Sequence, residues 1–88
     1  MEANSKPLQP FLAAAIVQLR EEKGWNKEEL ALIVGVSQSE ISHNESGRRD
    51  PRWSTLERLA GVLGVSGCEL VELAEKLREA EQQEDRDT

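Results

Sequence analysis

Apolar residues recur along this chain at helical spacing in five blocks, each bounded by a glycine or a small polar residue. The first block opens at Pro10, a good residue for the first turn of a helix, where its missing N–H leaves no bond unmade. Leu12, Ile16 and Leu19 follow on one face, and Lys23-Gly24 supplies a left-handed stop. Asn26 stands three residues before Glu29, the spacing of a capping box, and a short helix carries Leu30, Ala31 and Val34 to Gly35. Ser37 and Glu40 repeat that spacing ahead of Ile41, with a stop at Gly47. Ser54 and Glu57 open a fourth unit through Leu56, Leu59, Ala60 and Leu63 to Gly64. Ser66 and Glu69 open a fifth through Leu70, Leu73, Ala74, Leu77 and Ala80. No segment alternates well enough to argue for a strand. The pattern predicts an all-α fold.

Helices two and three are short and joined by a glycine turn, from about residue 26 to 46. That is the layout of a helix-turn-helix unit, whose second helix enters the DNA major groove. If Ile41 points inward, Ser39, Ser42 and His43 face out, with Gln38 on the exposed N-terminal turn. Glutamine can pair with both major-groove edges of adenine, while serine and histidine make less restrictive contacts. Residues 11–73 resemble the Xre/Cro/C1 family of bacterial and phage repressors. The elements that carry the likeness are LREEKG, EELA, GVSQSEIS, the E-x-G at Glu45–Gly47, and LAGVLGVS.

The resemblance implies a compact five-helix, lambda-repressor-like DNA-binding domain with its C-terminal helix extended. It also implies a cytoplasmic, bacterial or phage-encoded repressor acting as a homodimer on double-stranded DNA. Base reading falls to Gln38, Ser39, Ser42 and His43. Phosphate contacts fall to Asn26, Lys27, Ser37, Arg48, Arg49 and Arg52. Arg20 and Glu45 match a structural ion pair that holds the recognition helix against helix one. Within this frame residues 1–9 are expected to form a flexible arm, 10–80 the domain, and 81–88 an acidic, disordered tail.

Composition narrows the alternatives. Eighty-eight residues make one domain, and a single Phe, two Trp and no Tyr mean an aliphatic core. Cys68 and His43 are the sole residues of their types, so neither a disulfide framework nor a zinc site is expected. The longest apolar run, Phe11 to Val17, is too short to span a bilayer, and MEANSKPLQP does not read as a signal peptide. No nucleophile–base pair or phosphate loop suggests catalysis, and no cofactor is expected. Trp25 is expected to staple the junction of helices one and two, and Trp53 to sit in the core or at its rim.

A net charge of −6 weighs against binding DNA until it is divided by region. Residues 71–88 carry 7 acidic and 3 basic side chains, so four of the six excess charges lie at the C-terminal end. Exposed charges are largely screened beyond about 8 Å at physiological ionic strength.

Three positions depart from the family pattern. Asn44 stands where a large apolar residue is usual. Glu40 lies on the recognition helix, either as the capping partner of Ser37, as an acceptor for a cytosine amine, or as a residue that repels a nearby phosphate. Leu32 and Ile33 stand where charged residues are common. They suit a second function, a protein-interaction module such as an antitoxin that meets its toxin partner through these residues or through the C-terminal helix. The stripe Leu70, Leu73, Leu77 and Ala80 is the expected dimer surface, unless it only covers the core.

Overall fold

The computed structural model describes residues 6–47 and 52–87, with side chains through Gln83. These residues form α1 (Gln9–Lys23), α2 (Lys27–Val34), α3 (Gln38–Ser46), α4 (Trp53–Val62) and α5 (Gly67–Asp87), with no strand among them. The all-α, five-helix expectation holds. Each helix contributes one large, fully buried side chain to a single core: Ile16, Leu30, Ile41, Leu59 and Leu70. Burying such a side chain contributes about 1.5–3 kcal/mol, and these five tie every helix to the others. Ala13 and Ala15 are also buried, and such small side chains let α1 come close to its neighbours. Its main partner is α5, followed by α3.

The caps follow the sequence with one exception. Asn26 and Glu29 exchange two bonds of 2.8 Å, and Ser66 and Glu69 exchange bonds of 2.8 and 3.0 Å. Helix α4, however, begins at Trp53, and Ser54 lies inside its first turn rather than capping it. Extended Arg52 (φ −67°, ψ 149°) is the N-cap through its backbone alone, with its carbonyl accepting from Leu56 N–H at 2.9 Å. The apolar residues Leu56, Leu59, Ala60 and Leu63 are all buried as expected.

A further correction concerns Trp53, and the ends and Trp25 complete the fold. Residues 81–87 of the tail, expected to be disordered, continue α5, which runs to Asp87. Glu, Gln and Arg are good helix formers, and extending an existing helix needs no new nucleus. Of the expected arm only residues 6–9 are described: α1 starts at Gln9, and Lys6 Nζ pairs with Glu81 of α5 at 2.9 Å. Trp25 is half-buried against the core that includes Leu30, the residue a staple at that position should meet. Trp53 is 53% exposed and outside the core. Its ring lies over the start of α5, where a Cβ on Gly67 would come within 3.2 Å of Cη2 and Cζ2.

Candidate nucleic-acid interface

Three residues, Gly35 to Ser37, separate α2 from α3. Gly35 makes the turn at φ +87°, a conformation that residues with a Cβ adopt at a cost, and its N–H reaches Ala31 O at 2.8 Å. Arg58 of α4 steadies the same turn by donating from Nη2 to Val34 O at 3.1 Å, where a cation also suits the negative end of α2. Sequence reasoning missed Arg58, because nothing in its spacing signals a bond across 24 positions.

Helix α3 is held on its other side by α1. Arg20 Nε donates to Glu45 Oε2 at 2.7 Å and Nη2 to Oε1 at 3.1 Å, a forked pair, while Nη1 donates to Trp25 O at 2.8 Å. The two side chains are only 11% and 3% exposed. The hydrogen bond to Glu45 raises the Arg20 pKa above its ordinary value, assisted by the charges of Glu45 and Glu21 and opposed by burial. One arginine thus ties α1, the α1–α2 junction and the end of α3 together. At the C-terminal end of α3, Gln9 Nε2 donates to Gly47 O at 2.6 Å, and a Cβ on Gly47 would meet Pro10 Cα at 3.4 Å and Ala13 Cβ at 3.7 Å.

With Ile41, Asn44 and the Glu45 side chain turned inward, the opposite face of α3 is open. Gln38, Ser39 and His43 are exposed and Ser42 is half-buried, so the four expected base-reading residues share the outer side and its flank. Asn26, Lys27, Ser37 and Arg52 are exposed at the starts of α2, α3 and α4. The Asn26 and Ser37 oxygens already cap their helices, which leaves their amide and hydroxyl hydrogens to donate elsewhere. Arg48 and Arg49 lie outside the described residues.

Two departures from the family pattern take definite form. Asn44 is 94% buried, the complement of its 6% exposure, and among the described residues its Nδ2 has no hydrogen-bond partner. Ser37 Oγ accepts from Glu40 N–H at 3.1 Å, yet the Glu40 carboxylate does not return the bond as Glu29 and Glu69 do. Leu32 and Ile33 are exposed, at 79% and 49%. Among the described residues no group of three or more His, Cys, Asp or Glu could hold a metal ion, and no helix is long and apolar enough to cross a membrane.

The family model described as a helix-turn-helix domain matches residues 12–73, most of the chain. This chain belongs to the helix-turn-helix family of transcriptional regulators. It is 42% identical over 64 residues to the HTH-type transcriptional regulator y4dJ of Sinorhizobium fredii, covering 73% of this chain and 83% of that protein. It is 36% identical over 61 residues to the cryptic phage CTXphi transcriptional repressor RstR of Vibrio cholerae, covering 69% of this chain and 55% of RstR. Among solved structures, the clp gene regulator ClgR of Corynebacterium glutamicum superimposes with a TM-score of 0.78 at 28% identity, over 92% of this chain and 89% of that one. The chain spans only 20% of a 40%-identical regulator from Mycobacterium bovis, so its matches include much longer proteins. The Xre/Cro/C1-type resemblance and the fold it implied agree with these findings.

Proposed function

We propose that the chain is a sequence-specific repressor that binds double-stranded DNA as a homodimer, with α3 in the major groove. The observation that carries this reading is the open face of α3. Gln38, Ser39 and His43 project from a helix whose opposite side is fixed by Ile41 and by the Arg20–Glu45 pair. A reading helix needs this rigidity, because each base contact depends on side chains held in register. Gln38, Ser39, Ser42 and His43 read bases, while Asn26, Lys27, Ser37 and Arg52, with Arg48 and Arg49, contact phosphates and set the register.

A single reading helix covers few base pairs, so two subunits on a two-fold site supply the affinity and selectivity. Helix α5 is the proposed interface, in a form revised from the four-residue stripe. Leu70 is fully buried in its own core and cannot meet a partner, whereas Leu73 and Leu77 are half-buried and Ala80 is exposed. Leu77 also lines an open groove of about 460 Å³ with Pro10, Phe11 and Ala14, which leaves apolar surface beside α5 for a second subunit.

The exposure of Leu32 and Ile33 favours a second reading, an antitoxin-like module that meets a protein partner through α2. Pull-down of sheared genomic DNA from the source organism at moderate salt separates the two. The repressor reading expects a few fragments to be enriched over the background. A protein partner retained with no fragment enriched would replace it by the module reading.

A further inference from the structure

We propose that Glu40 is a specificity-determining residue that selects a cytosine in the DNA site through its carboxylate. This rests on the DNA-reading role of α3. Among the described residues three Asn- or Ser-capped helices carry a glutamate at the same capping position. In α2 and α5 that glutamate reaches back to the cap backbone at 2.8 Å, but in α3 it does not. Among the described residues no hydrogen bond or ion pair occupies the Glu40 carboxylate, and the residue is exposed. It stands in the first turn of α3, directly after Gln38 and Ser39 and three positions before His43. Capping therefore accounts for its backbone N–H, which Ser37 Oγ accepts, and leaves its charge unexplained.

A carboxylate at neutral pH only accepts hydrogen bonds. In the major groove guanine and thymine offer acceptors at their reading edges, and both repel it. Adenine offers its N6 amine, but the neighbouring N7 acceptor opposes the second carboxylate oxygen. Cytosine offers the N4 amine with no acceptor beside it on the same base. The surrounding phosphates repel the carboxylate at every site, so Glu40 weakens binding generally and recovers the loss only where an amine faces it. Specificity is that difference.

Selection from a randomised double-stranded DNA library tests this with the full-length wild type, Glu40→Gln and Glu40→Ala. Both substitutions keep the backbone N–H that Ser37 accepts, so helix content and melting should stay as in wild type and report that the fold is intact. The wild-type motif should contain a C·G pair whose replacement lowers affinity about tenfold or more. Glu40→Ala should lose that preference, with less than about a twofold effect of the same replacement. Glu40→Gln should relax it or shift it toward adenine, which a glutamine side chain can hold at both N6 and N7. An unchanged motif with tighter binding to every sequence would overturn the proposal and leave Glu40 as a phosphate-repelling charge. A wild-type selection that enriches no motif would instead overturn the DNA-reading role of α3, and this inference with it.

Discussion

At the scale of single residues, Arg20 and Asn44 set the quality of the seat beneath α3. Arg20 makes two bonds to Glu45 and one to Trp25 O in a nearly dry pocket, so removing it leaves a buried carboxylate and an unmet carbonyl. Arg20→Ala should cost about 3 kcal/mol in urea unfolding, and the paired Arg20→Met/Glu45→Leu change should recover much of that loss. A raised arginine pKa means the contribution of Arg20 is complete below the ordinary arginine range and lost only as pH rises above it. Its charge therefore adds no pH dependence to stability near neutrality. Asn44 works in the other direction. Its Nδ2 is buried and meets no acceptor among the described residues, an arrangement that costs about 1–3 kcal/mol. Asn44→Leu should therefore raise the melting midpoint, by about 4–8 °C if it recovers about 1 kcal/mol. A lower midpoint would mean that the larger side chain does not fit.

At the scale of elements, the helices were legible because local rules and burial agree. Leu30, Ile41, Leu59 and Leu70 recur at the positions their helix periods predict, and all four are fully buried. What sequence could not show were bonds between distant positions, such as Arg58 to Val34 and Gln9 to Gly47, which depend on how the helices cross. Ser54 misled because its spacing to Glu57 matches a box, while the helix had already begun one residue earlier. For the interface the outer face of α3 was readable from Ile41 alone. Whether the Glu40 carboxylate would turn back to its cap was not, since the same three-residue spacing gives both outcomes in this chain. Helix α5 carries its own prediction. Leu73→Asp/Leu77→Asp should sediment as a monomer while circular dichroism still reports a folded helical chain. A folded dimer would remove α5 from the interface.

At the scale of the whole molecule, charge is segregated. Seven of the 17 acidic residues lie in positions 71–88, while Lys27 and Arg52 are exposed at the starts of α2 and α4. Because exposed charges are screened over about 8 Å, the net charge of −6 does not decide what the α3 face meets. Local contacts do, and they divide into two kinds that salt can separate. Titrating an enriched DNA fragment and a scrambled one across a range of salt tests whether the outer face of α3 reads DNA. Wild type should prefer the enriched fragment by about a thousandfold or more. Lys27→Ala/Arg52→Ala should weaken both fragments alike and make the salt slope shallower by about 2 per subunit. Gln38→Ala/His43→Ala should lose most of the preference while keeping the slope. If that second variant still discriminates as wild type does, the outer face of α3 does not read DNA.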